Sequence, residues 1–125
     1  MLAMARYGTR DIARAKQFYD AIGEIIGAQR VVDQDNLAAY KGPNGGVFII
    51  GKPFAGDATP GNGTQVVFDV PSRAAVDAAH AKALEIGGKS EGEPGLRGPA
   101  ERNMYAAYVR DFDGNKIMLM TSAPA

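Results

Sequence analysis

The sequence predicts an α+β domain in which two βαβββ modules form an open, cup-shaped mixed sheet with the helices on its outer face. Three observations predict it. A strand-like segment, an amphipathic helical segment and further strand-like segments follow one another twice, at about residues 1–55 and about 64–122, around a linker at about 56–63. Each half closes with apolar runs on either side of a glycine-containing turn. Asn44-Gly45 in the first turn lies 69 positions before Asp113-Gly114 in the second, so Ile49 corresponds to Met118. Two such modules each cover one sheet face with a helix, and pairing them leaves a concave face open.

The elements follow in order. Residues 2–9 are short and apolar and read as a strand. Thr9 or Asp11 caps a helix whose apolar face is Ile12, Ala15, Phe18, Tyr19, Ile22 and Ile26, and Gly27 ends it. Gly23, inside that helix, implies a close packing contact. Residues 30–32, 37–41 and 47–50 read as strands, with Gly42 to Gly46 turning the chain between the last two. Residues 51–63 are rich in Gly, Pro, Asp and Thr without apolar periodicity and read as a surface linker.

The second half begins with a strand at 64–70. Ser72 then caps a helix at 73–86, with Val76, Ala79, Ala83 and Ile86 on its apolar face and Gly87-Gly88 after it. Residues 89–103 read as a loop. The most strongly marked element is the hairpin at 105–120, where Asp111, Asp113, Gly114 and Asn115 supply the turn chemistry between two β-prone runs. A four-residue loop would put Tyr105, Ala107 and Val109 on the same face as Met118.

Composition narrows the function classes. The 125 residues form a single domain's worth of chain, with 46% hydrophobic residues and 14 cations balancing 14 anions. A net charge of zero gives no electrostatic reason to expect nucleic acid or an anionic membrane as partner. With no cysteine, disulfides and thiolate metal sites are excluded. Arg6, Arg10 and Asp11 interrupt the first residues, so no secretory leader is expected and a cytoplasmic location is. No stretch approaches the ~18–20 apolar residues of a membrane span. A net charge of zero also favours association into an oligomer.

Residues 11–20, 67–73 and 110–117 carry a resemblance. Asp11-Ile12 through Phe18-Tyr19-Asp20, Val67-Phe68-Asp69-Val70-Pro71-Ser72-Arg73 and Arg110-Asp111-Phe112-Asp113-Gly114-Asn115-Lys116-Ile117 are similar to three motifs of the vicinal-oxygen-chelate superfamily. That superfamily covers glyoxalase I, bleomycin-resistance proteins and extradiol-type dioxygenases, and Phe112 stands where its hairpin usually has proline. The resemblance implies a glyoxalase-like fold, a homodimer and, in many members, a metal held by His or Glu at four strand positions. Those positions fall here at Met4, Ile49, Gln65 and Met118. Two thioethers, an alkyl group and an amide do not suit a divalent Zn, Ni, Mg or Fe ion, so no metal and no other cofactor is expected.

The expectation is therefore a metal-free glyoxalase/bleomycin-resistance-type protein that binds a small organic molecule in the cleft. Met4, Arg6, Ile49, Gln65, Arg97, Tyr105 and Met118 are the candidate ligand-binding residues. The alternative is a lyase or dioxygenase-like enzyme of the same superfamily working without the usual metal, with Tyr105, Arg6 or Asp69 as its polar groups. A subunit serving only as a partner is the third reading. His80, the sole histidine, lies on the second helix, away from the cup, and reads as structural or solvent-facing. Arg97 and Arg102 sit where a loop would form the lip of the cleft, and either could clamp a carboxylate or phosphate. Asp111 to Asn115 is not an EF-hand, because Met120 occupies the position of its terminal carboxylate.

Overall fold

Two helices and two four-stranded mixed sheets make up the structure, a computed structural model describing residues 1–125. The first module contains β1 (Met4–Gly8), α1 (Ile12–Ile26), β2 (Gln29–Asp33), β3 (Leu37–Lys41) and β4 (Val47–Gly51). Its strand order is β1-β4-β3-β2, with β1 parallel to β4 and the other pairs antiparallel. The second module contains β5 (Val66–Asp69), α2 (Arg73–Glu85), β6 (Lys89–Arg97), β7 (Met104–Arg110) and β8 (Lys116–Thr121). Its order, β5-β8-β7-β6, repeats that of the first. The α+β class and the two βαβββ units agree with the sequence.

Both helices start and stop on chemistry visible in the sequence. The Asp11 carboxylate accepts from the Arg14 N–H at 3.1 Å, and Gly27 ends α1 in the left-handed region at φ 83°. Ser72 caps α2 by accepting from the Ala75 N–H at 3.1 Å. Gly23 is a packing requirement: a Cβ there would lie 2.9 Å from the Ala28 carbonyl oxygen. The helix-facing side chains of both sheets merge into one cluster of 18 buried residues, including Phe18, Tyr19 and Phe48 from the first module and Val70, Val109 and Leu119 from the second.

Two sequence expectations are corrected. Residues 89–103 are not a loop: they contain β6 and one tight helical turn at Ala100–Arg102. Their Gly and Pro content hid the strand. β6 is an edge strand whose register against β7 shifts twice, between Ser90 and Gly92 and between Gly92 and Gly95. Pro94 falls in the second shift, where a missing N–H breaks no ladder bond.

The hairpin register is the second correction. Asp111 to Asn115 forms a five-residue loop, closed by Asp111 N–H to Asn115 O at 3.0 Å and Gly114 N–H to Asp111 O at 2.9 Å. Met118 therefore pairs with Tyr108, and Ala106, Tyr108 and Arg110 share its face. The extra loop residue turns Tyr105, Ala107 and Val109 to the helix side, because a one-residue slip exchanges the faces.

That hairpin loop also joins the modules. Asp113, 7% exposed, accepts from the Thr9 hydroxyl at 2.6 Å and from the Arg10 backbone N–H and Nε at 3.0 Å each. Asn115 donates to the Gly8 carbonyl at 2.9 Å, and the Tyr19 hydroxyl donates to Asp111 at 2.5 Å. The first module's turn makes a matching reach: Asn44 donates to Asp69 at the end of β5, at 2.6 Å.

Candidate functional site

β1 and β5 are each the outer strand of a sheet, and no backbone pairing joins them. The seam between them holds a cavity of about 540 Å³. Open-face residues Met4, Val47, Gln65, Val67 and Asp69 form its mouth. Ala5, Phe48, Val66 and Phe68, which face the helices, form its walls. Tyr19, Ile22, Gly23 and Ile26 of α1 form its floor. The hollow thus runs from the open face through the seam into the aromatic part of the core. Phe48 and Phe68 meet edge to face there, with ring centroids 5.1 Å apart.

The cavity is apolar, and its few polar groups are engaged. The Tyr19 hydroxyl is bonded to Asp111, and burial, reinforced by the Asp111 charge, raises its pKa well above the ordinary phenol value. The Tyr40 hydroxyl donates to Asp20 at 2.7 Å, and burial followed by the Asp20 bond holds it protonated. Asp69 accepts from the Asn44 side chain, not from local backbone as a strand-end aspartate often does. Asp111 has its pKa raised by burial, while hydrogen bonds from Tyr19 and Asn115 act in the opposite direction.

The sequence-derived site residues divide into three groups. Met4 and Gln65 are at the cavity, Met4 being 55% exposed. Met118 lies buried beside Gln65, whose Nε2 points at the Met118 sulfur at 3.8 Å. Arg6, Ile49 and Arg97 are on the open faces of the sheets but not in the cavity wall. Arg6 donates to the Lys52 carbonyl at 2.7 Å and lies over the ring of Phe54 at 5.6 Å. Tyr105 is on the far face of its sheet, where its hydroxyl donates to Asp77 of α2 at 2.6 Å and that bond raises its pKa.

The remaining suspects are structural or exposed. His80 is buried on the helix side, with Nε2 2.9 Å from the Ser90 hydroxyl. Arg102 is exposed in the tight turn after β6. The site residues that sequence reading missed are Tyr19, Ile22, Phe48 and Phe68. Their periodicity marked them as core, and only the gap between two unpaired edge strands makes them cavity lining.

The four residues that the resemblance puts at metal-ligand positions do not fit a metal. Met4, Ile49, Gln65 and Met118 offer no imidazole or carboxylate, and the Gln65 amide is directed at the Met118 thioether. Nowhere do three His, Cys, Asp or Glu side chains converge in a ligating group.

Comparison with known proteins gives one family. The model for the Glyoxalase/Bleomycin resistance protein/Dioxygenase superfamily matches residues 2–119. A crystal structure of a glyoxalase/bleomycin resistance protein from Albidiferax ferrireducens T118 is 35% identical, with a TM-score of 0.88 over 99% of each chain. Two further similarities concern the fold alone. A glyoxalase-related enzyme from Fulvimarina pelagi is 19% identical at TM-score 0.73, over 97% of this chain and 87% of the other. A lactoylglutathione lyase from Agrobacterium tumefaciens is 17% identical at TM-score 0.66, over 97% and 92%. No curated protein sequence matches the chain.

Proposed function

Because the chain belongs to the glyoxalase/bleomycin resistance protein/dioxygenase superfamily, we propose that it binds a small apolar or aromatic organic molecule in the seam cavity, without a metal. The observation that carries this reading is the cavity itself. Its volume of about 540 Å³ lies within the range of small-molecule sites, and such sites are mostly apolar with a few polar groups at the mouth. Phe48 and Phe68 offer ring faces and edges to an aromatic guest. Met4 supplies an adaptable, polarizable contact at the opening, and Met118 lies behind Gln65.

Binding is favoured over catalysis by the state of the polar groups. Tyr19, Tyr40 and Asp69 are the titratable side chains in the wall, and each is already held by a partner. A lyase or dioxygenase-like reaction needs a free acid, base or Lewis acid at the reacting atoms. Bleomycin, a cationic ligand, is a poor match for a wall in which Asp69 is the sole carboxylate. A cytoplasmic homodimer belongs to the same reading: the apolar side chains of Leu2 and Phe54 are 84% and 100% exposed.

Fluorescence titration with N-phenylnaphthylamine tests the proposal. Saturable binding is expected, and a probe at 100 times its Kd stabilises the fold by about 2.7 kcal/mol. Ala5→Phe places a ring in the cavity and should abolish binding while the protein still melts cooperatively. Gln65→Ala should weaken binding at the mouth with the fold intact. Absence of probe binding, or binding indifferent to both changes, refutes the receptacle. One bound metal per chain in elemental analysis refutes the metal-free part alone.

A further inference from the structure

The open face of the second sheet carries two cations, Arg97 and Lys116, beside the Arg110–Glu91 pair, and Glu91 also feels the Lys116 charge. Tyr108 lies on this face in β7, and each neighbouring strand sends a cation to it. The Lys116 ammonium, from β8, is 5.2 Å from the ring centroid, and the Arg97 guanidinium, from β6, is 5.7 Å away. Neither cation forms an ion pair, whereas Arg110 on the same face is paired with Glu91.

Arg97 is held in place by the strand beneath it. Its guanidinium donates to the Leu96 carbonyl at 3.3 Å and to the Glu93 carbonyl. It lies over Gly92 and Gly95, where an added Cβ would come within 3.4 and 3.0 Å of its terminal nitrogens. Two glycines on one face of a strand weaken it. Here they make the bed in which the arginine lies flat. Carbonyl bonds leave its full charge and several N–H donors available.

Resting on the seam reading, we propose that Arg97, Tyr108 and Lys116 form an anion subsite, and that the bound molecule is an amphipathic organic acid. Its apolar or aromatic body enters the seam cavity, and its carboxylate, sulfonate or phosphate is held between the two cations. The geometry links the two parts. Gln65 at the mouth touches Met118, and Met118 is the cross-strand partner of Tyr108. Two strand spacings separate β5 from β7, about 10 Å, a distance that a fused-ring compound with a short acidic side chain spans.

The test compares pyrenebutyrate with pyrenebutanol, which share a hydrocarbon and differ in charge. The wild-type protein should bind the acid about tenfold more tightly than the alcohol at low salt, with the preference shrinking as salt rises. Arg97→Gln and Lys116→Gln should each reduce the preference several-fold and leave the affinity for pyrenebutanol unchanged. Lys82→Gln, which removes a cation from α2, should leave the preference intact. Equal affinity of the wild-type protein for acid and alcohol overturns the subsite while leaving the cavity standing, and so does a preference that survives both substitutions. Failure of both compounds to bind a protein that melts normally overturns the cavity reading, and the subsite with it.

Discussion

Removing the Asp113 carboxylate should separate the energetics of the two module-bridging turns. In Asp113→Ala three interactions are lost together: the Thr9 hydroxyl at 2.6 Å, and the Arg10 backbone N–H and Nε at 3.0 Å each. Thr9 is 1% exposed, so its charge-assisted bond is worth about 1.5–3 kcal/mol, and the backbone bond adds about 1 kcal/mol. The Arg10 side chain is 60% exposed, so its ion pair adds at most a few tenths of a kcal/mol after screening. Thr9 keeps a second partner in the Asp11 carbonyl at 3.2 Å, which trims the loss. The total is about 3 kcal/mol, or roughly 10 °C in Tm for a domain of this length. Asn44→Ala, at the corresponding but exposed turn, removes only its bond to Asp69 and should cost about 0.5 kcal/mol. Urea unfolding followed by circular dichroism, with m held constant, measures both. A cost below about 1 kcal/mol for Asp113→Ala, or equal costs for the two variants, would refute the asymmetry between the turns.

Three further outcomes follow from named contacts. Gly88→Ala would bring a Cβ within 2.8 Å of both the Ala83 and Arg110 carbonyl oxygens, and a drop of about 2–3 kcal/mol is expected in thermal melts. Tyr105→Phe removes the bond to Asp77 on the face opposite the site, so stability should fall by under about 1 kcal/mol with probe affinity unchanged. Burial raises the Asp111 pKa, so the native state holds a proton that the unfolded chain has released, and this group's contribution to stability falls as pH rises through that window. Asp111→Asn cannot titrate. As pH rises above the ordinary aspartate range the wild-type protein should therefore lose stability relative to the variant, and urea midpoints that keep a constant difference would refute the assignment.

Local chemistry made most of the elements legible. Asp11, Gly27 and Ser72 act within their own turns of chain, so the ends of α1 and the start of α2 could be read directly. The same holds for the hairpin at Asp111 to Asn115, except for its register. One residue of loop length separates a Met118 face carrying Tyr105 from one carrying Tyr108, and loop length is a property of the closed turn. β6 escaped notice because an edge strand with two register shifts tolerates the Gly and Pro residues that usually mark a loop.

The sequence by itself determined the duplicated βαβββ order, the helix-facing stripes and the absence of metal-type donors at Met4, Ile49, Gln65 and Met118. These depend on residue type and on periods of two and 3.6 residues, which are local. Only the tertiary structure decided that β1 and β5 leave a seam, that Phe48, Phe68 and Tyr19 line it, and that Arg97 lies over two glycines beside Tyr108. Each of these joins residues far apart in the chain, and no local preference specifies how two finished sheets meet at their unpaired edges.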